Sequence, residues 1–292
     1  LYTPLMSRKI SILILISLFS FACATHPKTI NTAQAPVKEE PPQLIEEPQI
    51  RVMVSHRRHR QLVTLPLDTY LTGVIGNEMS AKWPVEALKA QTVAARSYAL
   101  YRINQARSTG RKFDVVPTQA DQVFRKKDAS NPYLKSIVDQ TRGIILWNNG
   151  NVVEAFYSST CGGQTRAAIE AGFSKDSPLN KVCTDDYCLL SPFRDWAMTL
   201  SRRDLEKRFR RHGRTYNRLR SIEVLERDPS GYVKSVEIVD AKGIHQITGN
   251  QFRKLMGAMS LKSLLFTISE DGKSIYFNGH GFGHGVGLCQ FG

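Results

Sequence analysis

The sequence predicts an α+β fold, held in one domain that runs from about residue 51 to residue 292. Three observations carry this reading. The stretch "WPVEALKAQTVAARSYALYRINQAR" has helical periodicity. Several short alternating segments, separated by Gly-, Pro- and Asp-containing turns, read as antiparallel strands. Helical and strand segments are segregated along the chain rather than strictly alternating, which argues against a parallel α/β sheet.

The elements follow in order. "IRVMVS" and "QLVTL" alternate like two short strands joined by the basic turn "HRRHR". "PLDTYLTGVIGNEM" reads as a short helix opening at Pro66. The long helix comes next, with Pro84 suited to its first turn, Glu86 at its positive end and Gly110 just past its C-terminus. Leu88, Gln91, Ala95 and Tyr98 share one face of it, and Arg96 lies beside that face. "GIILWNNGNVVEAFYSS" carries a hairpin signal across Asn149-Gly150. "SRRDLEKRF" reads as a helix capped by Ser201, with Asp204 at capping-box spacing. From Leu219 onward strands dominate: "RSIEVLER", "GYVKSVEIVD", "IHQIT" and "SIYFNG".

The bulk composition narrows the function. With 41% apolar residues the 292-residue chain can bury a sizeable core. Its formal charge is +14, from 40 Lys and Arg against 26 Asp and Glu, which favours an anionic partner. Nine of those cations crowd into residues 202–220; they form either a solvated helix face or a binding surface. The N-terminal segment sets the compartment. "MSRK" is followed by "ISILILISLFSFACA", apolar but short for a membrane span, so residues 1–24 read as an export signal. Ala22-Cys23-Ala24 fits a small-residue cleavage site, or Cys23 is a lipid-bearing N-terminal cysteine. Residues 25–50, polar and rich in Pro and Glu, read as a disordered tether. The expected location is therefore the periplasm or cell envelope, with membrane contact only through the signal or a lipid anchor. That setting argues against nucleic acid as the anionic partner.

Four stretches could carry chemistry. Glu78, flanked by Gly76, Met79 and Trp83, is a carboxylate whose pKa burial would raise, fitting it to act as a general acid. "AFYSSTCGGQT" runs a strand into small polar residues and so presents Tyr157, Ser158 and Ser159 at a cleft. Cys161 in the same stretch is either a structural cysteine or a nucleophile served by His284. "KVCTDDYC" separates Cys183 from Cys188 by four residues, the edge of zinc-ligand spacing, with Cys161 or Cys289 needed to complete a site. In an exported chain, disulfide pairing among these four cysteines is the plainer reading. In "GHGFGHGVGLCQFG", His280 and His284 would stand ~13 Å apart in an extended chain. The alternating glycines suit a loop that contacts substrate better than a shared metal site.

Taken together, "LPLDTYLTGVIGNEMSAKWPVEALKAQTVAARSYAL", "AFYSSTCGGQT" and "GHGFGHGVGLCQFG" resemble the stage II sporulation protein D family (SpoIID/LytB), over roughly residues 51–292. The resemblance implies a SpoIID-like domain acting on peptidoglycan. Sporulation members are lytic transglycosylases that cut glycan strands stripped of stem peptides. Other members are amidase enhancers that act with a cell-wall amidase. On this pattern Glu78 is the catalytic acid/base and Arg96 orients it or binds a muramoyl carboxylate. Tyr157, Ser158, Ser159, His284 and Gln290 are expected to bind sugar. The resemblance calls for no cofactor. Some members carry a His and Cys zinc cluster before a Gln-Val-Tyr segment; here "FDVVPTQADQVFR" has neither residue type, so that site is expected to be absent. The family pattern runs on past "CQFG" into a further helix, so the domain is expected to lack its C-terminal end.

Overall fold

A computed structural model describes residues 47–56 and 59–292. The expected export signal, Cys23 and most of the expected tether lie outside the described residues. The end of the tether does not: Gln49 and Ile50 already belong to the first strand.

Strands β1 (Gln49–His56) and β2 (His59–Pro66) form an antiparallel ladder in which Ile50 faces Leu65 and Val52 faces Val63. Pro66 then caps helix α1 (Leu67–Glu78), and Pro84 caps helix α2 (Val85–Ser108). Proline suits both places because its φ is preset and a helix start needs no N–H partner. Leu88, Gln91, Ala95, Tyr98 and Arg96 are all buried along α2. A short helix α3 (Pro132–Gln140), capped by the Asn131 side chain, packs against α1 and α2. The apolar faces of these three helices meet β1 in one core that includes Tyr70, Leu71, Ile75, Leu88 and Val138.

The Asn149-Gly150 hairpin is present, with both residues at positive φ, but its strands β3 (Trp147–Asn148) and β4 (Asn151–Val152) are only two residues each. The chain leaves this ladder, and strand β5 (Tyr157–Ser158) pairs elsewhere. Strand β6 (Asp195–Ser201) leads into helix α4 (Arg202–Arg211), whose Ser201 side chain accepts from the Asp204 backbone N–H. Strands β7 (Ser221–Arg227), β8 (Val233–Asp240) and β9 (Gly243–Thr248) form an antiparallel sheet. Helix α5 (Gly249–Met256) follows, with a capping box between Thr248 and Gln251. Strands β10 (Phe266–Glu270) and β11 (Ser274–His280) complete a second antiparallel sheet in the order β10-β11-β6. These strands and helices α4 and α5 enclose a second core built on Phe209, Tyr232, Phe252, Phe266 and Phe277. Strand β12 (Leu288–Cys289) returns to pair in parallel with β5.

The architecture is thus α+β, with a sheet core and a helical core against which Tyr157 of β5 packs. No helix among the described residues is long and apolar enough to cross a membrane.

Candidate active site

A cleft of about 480 Å³ is lined by Glu78, Tyr157, Ser158, Ser159, His284 and Gln290. Residues from three distant stretches of sequence therefore share one wall. The β5–β12 pairing brings them there. Leu288 lies opposite Tyr157 and Cys289 opposite Ser158. The Gln290 and Phe291 backbone N–H groups then donate to the Ser158 and Ser159 carbonyls at 3.0 and 3.2 Å. On the other side of the same segment, Thr160 and Phe282 exchange two backbone hydrogen bonds at 3.1 and 2.8 Å. The 282–288 loop thus wraps the end of β5.

Such wrapping requires glycine. Gly287 has φ +76°, and a Cβ there would stand 2.1 Å from the Phe156 carbonyl oxygen. Gly285 has φ +79°, and its Cβ would strike the Tyr232 hydroxyl. Both positions combine a left-handed backbone with a close approach, so only hydrogen fits. The alternating glycines are therefore turns rather than extended chain, and the two histidines diverge. His280 is exposed and pairs with Asp195 through Nδ1. His284 packs edge-on against Phe156 and Phe173. Its Nδ1 accepts from the Val286 N–H at 3.0 Å. Burial, and then the nearby Arg253 cation, lower its pKa to about 4. At neutral pH it is an uncharged ring in a fixed tautomer.

Glu78 is the last residue of α1, next to the buried Met79. Its Oε1 accepts from the Val123 N–H at 2.8 Å. Burial raises its pKa, against the opposing pull of that hydrogen bond. The helix macrodipole works in the same direction as burial, because the carboxylate sits at the negative end of α1. The Tyr157 hydroxyl accepts from Gln122 Nε2 at 3.1 Å. Burial, and then the Glu78 charge, hold that phenol well above its usual pKa. Gln290 Nε2 donates to the Glu78 carbonyl at 3.4 Å and to Gln91 Oε1 at 3.3 Å.

Arg96 requires a correction. It is 1% exposed and does not line the cleft. Its Nη1 donates to the Thr141 carbonyl at 2.6 Å and its Nη2 to the Val138 carbonyl at 3.1 Å, with Asp68 3.5 Å away. The guanidinium clamps the carbonyls at the C-terminal end of α3, where a cation is electrostatically favoured. The cation that does line the cleft is Arg253 of α5. Its Nε and Nη2 donate to the Leu261 and Lys262 carbonyls at 3.0 and 2.7 Å. Its Nη1 has no hydrogen-bond partner among the described residues.

A second carboxylate, Asp121, also lines the cleft and was not anticipated from the sequence. Its oxygens are committed: Tyr98 Oη donates to Oδ1 at 2.8 Å, Arg102 pairs with Oδ1 at 3.1 Å, and the Val116 N–H donates to Oδ2 at 2.8 Å.

The cysteines also differ from expectation. The set Cys161, Cys183 and Cys188 does not assemble. Cys183 is exposed, its N–H turned to the Thr165 hydroxyl, and Cys289 takes its place beside the other two. All four are free thiols rather than disulfide-bonded. Cys161 is 1% exposed and faces this cluster instead of His284, so a Cys161–His284 nucleophile pair is not formed.

The chain is similar to known proteins along most of its length. A stage II sporulation protein (SpoIID) domain matches residues 55–147, and a domain of unknown function (DUF8618) matches residues 119–287. An uncharacterized protein of Brachyspira hyodysenteriae is 34% identical over 228 residues, which cover 78% of this chain and 60% of the relative. An amidase enhancer of Bacillus subtilis is 30% identical over 272 residues, covering 76% of this chain and 36% of the relative. Stage II sporulation protein D of Bacillus subtilis is 28% identical over 256 residues, covering 83% and 72%.

Proposed function

The chain belongs to the stage II sporulation protein D (SpoIID) family and carries the DUF8618 domain, and from that premise we propose that it is a peptidoglycan lytic transglycosylase with Glu78 as its general acid/base. The observation that carries this reading is the unequal state of the two carboxylates in the cleft. Glu78 has one oxygen bonded and a raised pKa, whereas Asp121 is held by Tyr98, Arg102 and Val116. A hydrolysing glycosidase needs a second free carboxylate to activate water or form a covalent intermediate. An intramolecular transfer does not.

In that transfer the protonated Glu78 gives its proton to the oxygen linking N-acetylmuramic acid to N-acetylglucosamine. The bond from the muramic anomeric carbon to that oxygen breaks. The muramic 6-hydroxyl attacks the same carbon, and its proton returns to Glu78. The products are a free N-acetylglucosamine 4-hydroxyl and a 1,6-anhydro end. Tyr157, Ser158, Ser159, His284 and Gln290 offer hydroxyl, amide and ring groups to sugar hydroxyls. Arg253 offers a cation to the muramoyl lactyl carboxylate, which is free only where the stem peptide has been removed. Export to the envelope is the setting this chemistry requires.

The relative called an amidase enhancer favours a second reading, in which the cleft binds glycan and a cell-wall amidase does the cutting. One experiment separates the two. The purified chain and its Glu78→Gln form are incubated with amidase-treated sacculi, and the products are weighed by mass spectrometry. Anhydro-ended sugars from the wild type alone are expected. No release by either form, together with faster amidase turnover of untreated sacculi when the chain is added, supports the enhancer. Release that survives Glu78→Gln overturns the assignment of the acid.

A further inference from the structure

Behind the cleft wall, the side chains of Cys161, Asp185, Cys188 and Cys289 point at one spot. Their ligand atoms all lie within 4.8 Å of one another. Cys161 Sγ is 3.7 Å from Cys188 Sγ and 3.0 Å from Asp185 Oδ2. The three cysteines are 1%, 0% and 8% exposed. We propose that these four residues form a structural metal site for a thiophilic divalent ion of the zinc type.

The geometry favours a metal over a disulfide. Four ligands around zinc, with Zn–S bonds of about 2.3 Å, set sulfur–sulfur separations of about 3.8 Å, close to the one observed here. A disulfide joins two sulfurs at about 2.05 Å and leaves a buried third thiol beside a half-buried carboxylate without a role. Three sulfurs and one carboxylate oxygen form a set that suits zinc by softness and number. Because the protein fills all four positions and the thiols are buried, the site is closed, the mark of a structural rather than a catalytic ion.

The surroundings orient the ligands as an outer shell does. The Tyr187 N–H donates to Asp185 Oδ1 at 3.0 Å, turning Oδ2 toward the sulfurs. The Cys161 N–H donates to Cys289 Sγ at 3.3 Å, and the Tyr232 hydroxyl donates to the Cys161 carbonyl at 3.0 Å. On binding, the three thiols release their protons to solvent. Three thiolates and a carboxylate around a dication leave a net negative centre. The Arg194 guanidinium packs against Gly163, two residues from Cys161, with Nε and Nη1 buried and without hydrogen-bond partners among the described residues. It places a cation beside Gly163, two residues along the chain from a ligand.

The ion joins three segments: the end of β5, the turn at 185–188 and β12. Strands β5 and β12 are two residues long, too short to hold a register by themselves. They carry Tyr157 and Ser158, and Gln290 follows Cys289 directly. A metal at this point fixes the wall on which the cleft depends.

The test is elemental and needs no activity. The full chain is purified without reductant or chelator, its metal is quantified by mass spectrometry, and its thiols are mapped by alkylation and peptide analysis. About one zinc per chain is expected, with Cys161, Cys188 and Cys289 unlinked. Cys183→Ser, which removes the exposed cysteine, should keep the metal, and Cys188→Ser should lose it. Because Cys188→Ser can also fail to fold, wild-type protein is exchanged into cobalt(II). A tetrahedral spectrum with thiolate charge-transfer bands is expected. A disulfide between any two of Cys161, Cys188 and Cys289 in the isolated chain overturns the site. So do three free thiols that bind neither zinc nor cobalt.

Discussion

Gln290 and Glu78 are 212 positions apart in the chain, yet the Gln290 side-chain amide donates to the Glu78 backbone carbonyl at 3.4 Å. The bond ties the last residue of α1 to the loop after β12 and leaves the Glu78 carboxyl free to face the cleft. The same amide reaches Gln91 on α2, so one side chain sets the spacing of three elements. Gln290→Glu keeps the length and removes the donor. It should lower kcat by about 10- to 100-fold, the scale of a small misplacement of a reacting group. Stability should fall by only about 1 kcal/mol. Steady-state kinetics on peptide-stripped glycan, beside urea unfolding, checks the split; a change confined to stability would contradict the positioning role.

Glu78 is raised by burial, and this fixes the sign of two pH effects. As a general acid it must be protonated, so activity should fall as pH rises through its raised pKa. Glu78→Gln should remove about 100- to 10,000-fold of the rate. The same shift bears on stability. A carboxyl whose folded pKa exceeds its unfolded value costs nothing below the unfolded value. It destabilises the fold increasingly as pH rises from there through the folded value. Glu78→Gln should therefore be more stable than wild type at neutral pH, with the difference vanishing in acid. Thermal melts of both proteins across the acid-to-neutral range measure it.

Much of the fold could be read from local pattern, and the site could be read only in part. Pro66 and Pro84 mark where α1 and α2 begin, and the periodicity after Pro84 marks the buried face of α2. Helix α5 also had a legible signal, the Thr248–Gln251 capping box before an amphipathic run. The β5–β12 pair had none, since two-residue strands among glycines show no alternation. Helical periodicity gave the side of α2 on which Arg96 lies, but not that the end of α3 would meet it there. Nothing local distinguishes Arg253 among 40 cations, and a single Asp185 has no spacing signature beside Cys188. Long-range chain return decides all three.

The clamp at Arg96 carries its own prediction. The guanidinium is buried, and its charge is met only by the carbonyls at the end of α3 and by Asp68. Arg96→Leu should cost about 3 kcal/mol or more, read as a lower denaturation midpoint. Activity at low temperature should follow the folded fraction, and its pH profile should stay where Glu78 sets it. A shifted alkaline limb in a folded Arg96 variant would instead return this residue to the cleft.

Arg253 should act on binding. Two of its nitrogens are spent on the Leu261 and Lys262 carbonyls, and the residue lines the cleft. A charge-assisted bond to a lactyl carboxylate is worth about 1.5–3 kcal/mol. Arg253→Ala should thus raise KM about 10- to 100-fold for peptide-stripped strands. Strands that keep their stem peptides, and so present an amide in place of the carboxylate, should be poor substrates for both proteins. An equal loss on both substrates would show that Arg253 only braces the loop.

His284 reports on the wall itself. Its pKa of about 4 comes first from burial and then from Arg253, so the folded state holds it neutral while the unfolded state does not. A base with a depressed folded pKa makes its full contribution above its unfolded value of about 6.5. That contribution is lost as pH falls from there toward 4, and amounts to about 3 kcal/mol at most. The ring proton signals should show no titration at neutral pH and shift only near pH 4. Unfolding free energy should drop across the same acid interval. Arg253→Ala removes the second cause of the depression and should move the His284 titration upward while leaving most of it, because burial among Phe156 and Phe173 remains. An ordinary titration near pH 6.5 in the wild type would mean that the ring is solvated and that the 282–288 loop does not close over β5.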